Sequence, residues 1–367
     1  MKIAALVRID PDFWRRRRVL VTGHTGFKGA WLSLWLQSLG ADVAGLSAGV
    51  PTSPSLYELA GVGAHMREHE LDVRDGAAVR EALARERPEV VLHLAAQPMV
   101  RRSLREPALT YEVNVMGTVN VLDAVRRAGE TVRAVVVVTS DKCYENQPGG
   151  ARRFREDDPL GGVDPYSSSK ACAELVAGSF RRSYFASAHA PRLASARAGN
   201  VIGGGDWGED RLLADALRAV LARSALLVRN PHAVRPWQHV LNPLGGYLML
   251  AERLCRDERA ARAWNFGPRA GDEQPVMRVL ERLAELWEGE LEWRLDERAS
   301  PPEAERLALD SSAAERELGW SPALDLDAAL ALTVAWQRAW RAGADVRRES
   351  LRQIDRIGEL DSIAGSP

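Results

Sequence analysis

The chain has little of what would place it outside an ordinary aqueous compartment. Cysteine is scarce: Cys143, Cys172 and Cys255 are the three in 367 residues, and no CxxC pair exists. An odd, widely spaced set argues against a disulfide framework and makes a reducing cytosol, hence a cytoplasmic location, the simplest expectation. The seven histidines are scattered without metal-ligand spacing, so no metal site is expected. No apolar run has the length of a membrane span, and none is expected to enter a membrane. The opening MKIAALVRIDPDFW has neither the hydrophobic region nor the cleavage site of a signal peptide. Excess charge of one sign is also missing. Lys plus Arg is 49 and Asp plus Glu is 50, which offers nucleic acid no global basic field. The basic run at 15–18 reads as a solvated lead-in to a strand. There is no internal repeat and no low-complexity segment.

What remains is a chain 46% hydrophobic, long enough to bury a large core and to form two lobes. Strands and helices alternate from residue 18. The β-branched run 19–22, the stretch 42–47, EVVLHLA (89–95) and AVVVVTS (134–140) read as strands. Residues 30–39, 75–87 and 110–128 read as the helices between them, with Gly129 as a C-cap. Strands apolar on both faces belong in a covered parallel sheet. The expected fold class is therefore α/β, a doubly wound parallel (Rossmann) sheet with a smaller α/β substrate-binding lobe toward the C-terminus. The dinucleotide-binding domain is expected over 13–190, with a returning segment at about 232–262. The smaller lobe is expected over 191–231 and 263–344, and a loosely packed tail over 345–367.

Two constellations carry chemistry. The first is Gly23-His24-Thr25-Gly26-Phe27-Lys28-Gly29, a GxxGxxG turn between a strand and a helix. Glycines let backbone approach a pyrophosphate, and the helix N-terminus offers N–H donors and a positive dipole. The second strand ends Leu46-Ser47-Ala48, with neither an acid nor an arginine for the ribose, which leaves NAD against NADP open there. Asp72 and Val73 are candidates to flank the adenine. Leu94, Ala95 and Ala96 end another strand with little bulk, where a cofactor could pass close.

The second constellation is Pro165-Tyr166-Ser167-Ser168-Ser169-Lys170, with Tyr166 and Lys170 at i and i+4 on one helix face. A phenol is a poor base near neutrality, and a neighbouring ammonium favours its ionised form. Ser140, Asp141 and Lys142 follow the strand of 134–140, where parallel strands face the ligand crevice. Ser140 is placed to hydrogen-bond a reacting hydroxyl. Asp141 and Lys142 add an acid/base pair that a simple dehydrogenase does not need.

Taken with AAQPMVRRS (95–103), NVMGT (114–118), TSDKCYEN (139–146), RAGNVIGGGDW (197–207) and RNPHAVRPWQHV (229–240), these motifs resemble the extended short-chain dehydrogenase/reductase family. More narrowly, they resemble its CDP-glucose 4,6-dehydratase branch. The resemblance runs from about residue 13 to 340. It implies a tightly held NAD and an internal redox cycle: oxidation at C4, loss of water across C5–C6, and hydride return to C6. It implies CDP-glucose as the small-molecule substrate and a homo-oligomer packed through the helices that carry Thr110 and Tyr166. By resemblance, Tyr166 is the base at the C4 hydroxyl and Lys170 its partner. Asp141 protonates the leaving C6 oxygen, and Lys142 stands where dTDP-sugar relatives carry Glu, as acid/base at C5. A lysine takes a proton only when neutral. Asn200, Arg211 and Arg235 match nucleotide-sugar positions, with Arg101 and Asn114 added to them; guanidinium forks suit a pyrophosphate. A sugar-nucleotide 4-epimerase or plain dehydrogenase is the alternative enzyme. A non-catalytic dinucleotide-binding regulator is the alternative from another class.

Overall fold

The structure is a computed structural model of the protein and describes residues 8–146, 152–296 and 306–364. Seven parallel strands form the central sheet. They are β1 (Arg18–Thr22), β2 (Asp42–Ser47), β3 (Arg67–Glu70), β4 (Val90–His93), β5 (Ala134–Val138), β6 (Arg192–Ala198) and β7 (Ala263–Phe266). Their spatial order is β7-β6-β5-β4-β1-β2-β3. Because β1 lies between β2 and β4, the crossovers leave it in opposite directions. A crevice opens at that reversal, outside the carboxyl ends of the strands. Gly23, Leu94 and Thr139, which follow β1, β4 and β5, therefore share one rim. All five residues of β5 are buried, as a strand covered on both faces requires.

Helix α1 (Phe27–Ser38) is buried along nearly its whole length, with Trp31, Leu32, Leu34 and Trp35 inside the larger core. On the other face α2 (Gly76–Glu86) packs against α3 (Gly117–Arg127). Helix α4 (Pro165–Ser183) follows the Ser140 turn and packs across it. A smaller group of elements is assembled from α5 (Leu212–Ala222) and short strand pairs. Leu226–Val228 lies beside Trp293–Leu295, and Val234–Pro236 beside Glu273–Pro275. Helix α6 (Leu241–Arg256) returns to the large sheet and packs on β5 and β6. No described helix is long and apolar enough to cross a membrane.

Three expectations are corrected, and one strand is added. The segments 192–198 and 263–266, assigned above to the smaller lobe, are strands of the central sheet. Trp264 registers with Ala196, and both are buried. The polar strand β3 escaped notice because it is a solvated edge with no apolar alternation. The helix expected over 110–128 is interrupted. Pro107–Tyr111 is α-helical, Glu112–Met116 forms a π turn, and α3 then resumes. Such a turn inserts one residue and re-aims its neighbours, here carrying Asn114 inward. The tail is a packed helix rather than a loose end. In Val346–Ala364 the side chains of Val346, Ile354 and Ile357 are buried, and Arg347 donates to Gln37 on α1.

Candidate active site

The glycine turn is set by contacts that exclude side chains. Gly23 has φ +73°, and a Cβ there would lie 2.8 Å from the backbone of Ala95. A Cβ on Gly29 would lie 2.1 Å from the Gly23 carbonyl oxygen. Strand end, turn and helix start thus pack backbone to backbone. Gly26 is the N-cap of α1, and no side chain caps that helix. Its first N–H groups are left for an anion, so these residues fit a dinucleotide pyrophosphate. Thr25 faces β2: its hydroxyl meets Ser47 Oγ at 2.7 Å and donates to the Gly49 carbonyl. Phe27 lies under Gly203, where a Cβ would come within 3.2 Å of its ring. Leu94 and Ala95 donate their N–H groups to Thr22 Oγ1, which pins the second rim of the crevice. Ala96 follows them, partly buried. The Asp72 carboxylate is bound by Arg74 at 2.8 Å, and that guanidinium holds its carboxyl below the usual range. Val73 is buried against Gly117.

The catalytic helix starts at a designed stop. Asp164 caps α4, accepting from the Ser167 N–H and hydroxyl, and Pro165 occupies the first position. Tyr166 and Lys170 then lie one turn apart, both buried. Burial pushes the Tyr166 phenol up to about 12, against a hydrogen bond with Ser140 that lowers it. Burial also draws the Lys170 ammonium down to about 8, against Glu174, which raises it. Lys170 Nζ donates to the Val138 carbonyl at 3.2 Å. The polypeptide therefore shifts both groups toward their uncharged forms, and Lys170 is still mostly ammonium at neutral pH. A cationic nicotinamide ring is the kind of charge that fits this pocket and would favour phenolate.

Ser140, Asp141 and Lys142 form the turn after β5. Ser140 Oγ donates to Asp141 Oδ1 at 3.0 Å and accepts from the Lys142 N–H. Asp141 is 2% exposed, and its Oδ2 has no hydrogen-bond partner. Burial raises its pKa, with Lys142 the strongest opposing influence. A buried acid whose pKa is raised by burial, with one oxygen unspent, suits proton donation. Lys142 is half-buried beside it.

The nucleotide-side residues divide. Arg235 lies on Val234–Pro236, and its charge reaches Asp141. Arg211 caps the start of α5, 3.5 Å from Asp206, and its charge reaches Tyr166. Arg101 is held by Asp210 at 3.2 Å, an acid shared with Arg229. Asn200 is partly buried, and its carbonyl accepts from Gln238. Asn114 spends its side chain within the protein. Its Oδ1 accepts from the Gln97 N–H, while Nδ2 donates to the Gln97 carbonyl and to Ser169 Oγ. Both amide hydrogens are spent on tying the β4 rim to α4. The substrate contact expected of Asn114 is thereby corrected to an ordering role.

A buried network beneath the site was not anticipated. Glu174, one turn beyond Lys170, accepts from Thr139, from Ser195 Oγ at 2.7 Å and from Arg197 at 2.8 Å. Arg197 also donates to Tyr144 Oη, which donates to Asn265. The network joins the β5 turn, α4, β6 and β7. The signal for it was present in Tyr166, Lys170 and Glu174 at i, i+4 and i+8. Among the described residues no group of His, Cys, Asp or Glu could hold a metal ion.

Residues 20–333 match the GDP-mannose 4,6 dehydratase family. The chain is 48% identical over 351 residues to the CDP-glucose 4,6-dehydratase of Salmonella typhimurium, covering 94% of this chain and 97% of that one. It is 32% identical to the dTDP-glucose 4,6-dehydratase of Streptomyces griseus, over 88% of this chain and 95% of the relative. Its fold superposes with a TM-score of 0.76 on the dTDP-glucose 4,6-dehydratase of Streptomyces venezuelae, solved with NAD bound, at 26% identity over 90% of this chain and 99% of that one. The chain belongs to the NAD-dependent nucleotide-sugar 4,6-dehydratase family of extended short-chain dehydrogenases/reductases.

Proposed function

We propose that this protein is a CDP-glucose 4,6-dehydratase, a hydro-lyase that forms CDP-4-dehydro-6-deoxyglucose and water. The observation that carries the reading is the buried Asp141, with an unspent oxygen, beside Lys142 and next to Ser140, which hydrogen-bonds Tyr166. Oxidation or epimerisation at C4 does not require that acid. Cytidine as the base rests on likeness to the Salmonella relative.

The turn Gly23–Gly29, with Thr25, Gly26 and Phe27, the rim Leu94–Ala96, Asp72 and Val73 would hold NAD. NAD held there would supply the hydride acceptor for C4 oxidation and the hydride donor for C6 reduction. Tyr166 receives the C4 hydroxyl proton, and Ser140 orients that hydroxyl. The resulting ketone acidifies C5. Lys142 takes the C5 proton while Asp141 gives its own to the C6 oxygen, which departs as water. Lys142 returns a proton to C5 when C6 is reduced. One turnover leaves Tyr166 protonated and Asp141 ionised, and passage of one proton from the phenol to the carboxylate by way of solvent resets the site with no net uptake. Arg211 and Arg235, with Arg101 and Asn200, would hold the nucleotide-sugar.

Purified protein given CDP-glucose is expected to yield a product lighter by one water, with dTDP-glucose left unchanged, read by mass spectrometry. Clean 4-epimerisation, or no turnover of either sugar, would sink the proposal. The role of Lys142 has its own probe. Lys142→Met is expected to abolish deuterium exchange at C5 from heavy water while C4 oxidation persists. Normal exchange in that variant removes Lys142 as the C5 base.

The reading includes a homo-oligomer. Tyr111 and Leu175 are exposed on the helices that carry Thr110 and Tyr166, and Leu104 on the preceding short helix Val100–Arg105; apolar side chains so placed favour helix-to-helix packing between copies. Light scattering is expected to give a multiple of the 40.3 kDa chain mass; a monomer at micromolar concentration contradicts it. Three free cysteines accord with a cytoplasmic location.

A further inference from the structure

Residues 152–157 read Arg-Arg-Phe-Arg-Glu-Asp, a run dense in cations. Such a run is ordinarily a solvated loop. Two of its arginines behave that way. Arg152 meets Asp158 at 2.8 Å and Arg155 meets Asp157 at 3.9 Å, with both arginine side chains mostly exposed. Arg153 instead reaches far along the chain to Glu273, on the strand Glu273–Pro275, at 2.7 Å. Arg306 meets the other oxygen of that carboxylate at 3.0 Å. The Glu273 side chain is 3% exposed. A carboxylate so far from water is tolerated only when paired, so both guanidinium groups are held to it.

Glu273 is thereby a junction of distant stretches of chain. Its own strand runs antiparallel to Val234–Pro236, with Glu273 opposite Pro236 and Gln274 opposite Arg235. The Gln274 carbonyl also accepts from Trp237 Nε1 at 3.0 Å. Arg306 lies beside Val234 in a parallel bridge, and its carbonyl accepts from Asn146 Nδ2 at 3.0 Å. The Arg153 arm continues into Phe154, whose N–H donates to the Ala308 carbonyl and whose carbonyl accepts from the Asp310 N–H. The Phe154 ring stacks on Tyr144, just after Lys142 in the chain, with centroids 4.8 Å apart. Side chain and backbone together thus tie the arm, the strand pair and the turn after β5.

The strand held in this way borders the site. It carries Arg235. A Cβ on Gly199 would lie 2.6 Å from Pro236 Cγ and 2.7 Å from Asp141 Oδ2, so the strand end and the buried acid press on the same glycine. Two short paired strands have little stability by themselves. What fixes Arg235 relative to Asp141 must therefore come partly from outside the pair. We propose that Glu273 is a positioning residue for nucleotide-sugar binding: by pairing with Arg153 and Arg306 it locks the strand of Arg235 beside the Asp141 turn, so that the Arg235 guanidinium meets the pyrophosphate already in place. The proposal rests on the function proposed above. Ordering the strand before the ligand arrives lowers the entropic cost of binding. The role needs no contact between Glu273 and the reacting atoms, and no bond to it forms or breaks.

The test compares the full-length protein with Glu273→Gln, Glu273→Asp and Arg306→Met. Glu273→Gln leaves two guanidinium groups without their anion. It is expected to raise KM for CDP-glucose roughly tenfold with kcat within about threefold of wild type, the pattern of lost binding rather than lost chemistry. CDP affinity by calorimetry should fall by a similar factor, while NAD affinity stays within about threefold. Glu273→Asp keeps the charge on a shorter stem and is expected to fall between. The double variant Glu273→Gln/Arg306→Met should lose less than the product of the single effects, because residues acting through one another are not additive. Without any ligand, hydrogen exchange read by mass spectrometry should quicken in the peptide 232–238 of Glu273→Gln and stay unchanged in β5. Unmoved KM together with unmoved exchange at 232–238 overturns the role. A kcat loss as large as the KM rise, with exchange quickened in β5 as well, assigns Glu273 to general stability and overturns it too. Wild-type protein that releases no water from CDP-glucose overturns the function beneath it instead, and exchange at 232–238 then decides the positioning role by itself.

Discussion

Tyr166→Phe is expected to lower kcat by roughly 10³-fold or more, the upper part of the range for loss of a positioned general base. At 1.36 kcal/mol per decade that is about 4 kcal/mol of transition-state stabilisation. The phenylalanine ring fills the same buried space, and the cap of α4 rests on Asp164, Pro165 and Ser167 rather than on the phenol. Fold and NAD affinity should therefore survive, as measured by thermal melting and calorimetry. Because burial holds the phenol up near 12, the protein must recruit further positive charge before Tyr166 accepts a proton. Turnover on its acid side should accordingly rise with pH, since each unit of pH multiplies the small phenolate fraction. A variant that retains a tenth or more of wild-type turnover would remove Tyr166 from the base role.

Arg197→Met is expected to cost about 3–5 kcal/mol of stability, the range for breaking a buried ion pair by removing one partner. Glu174 and Arg197 are 3% and 4% exposed in their side chains, 2.8 Å apart. The truncation leaves the Glu174 charge in a dry site with only Thr139 and Ser195 to donate to it. It also frees Tyr144, which Arg197 holds at 2.7 Å. Urea unfolding measures the loss. The double variant Glu174→Gln/Arg197→Met should recover part of it, because neither buried charge is then left alone. A single-variant loss below about 1 kcal/mol, a value typical of surface pairs, would show that the pair is not what ties β6 to α4.

Much of the site could be read before any coordinates. Tyr166 and Lys170 are four residues apart on a helix, and that spacing alone puts them on one face. The glycines at 23 and 29 were legible because a strand-to-helix turn that meets a phosphate admits no Cβ, and the contacts at 2.8 and 2.1 Å bear out that steric reason. The β-branched strands β1, β4 and β5 announced a covered sheet through unbroken apolar runs. Polar edge strand β3 and the late strand β7 carried no such signal. The run at 193–203 reads as a strand, but Ser195 and Arg197 within it conceal that β6 belongs to the buried central sheet until their partners are known.

Residue type and short-range spacing, then, determined the parallel α/β class, the cofactor turn and the tyrosine–lysine pair, because each depends on local backbone geometry. Tertiary structure decided the rest. Glu174 and Arg197 are 23 residues apart in the chain, and they pair only once α4 lies across β6. Asn114 changed from a ligand contact to a brace because a π turn rotated it onto Gln97 and Ser169. Lys28 reaches Tyr247 only because the fold brings α1 and α6 together. Charges separated in sequence acquire their energies from distance and desolvation, and both are properties of the folded chain.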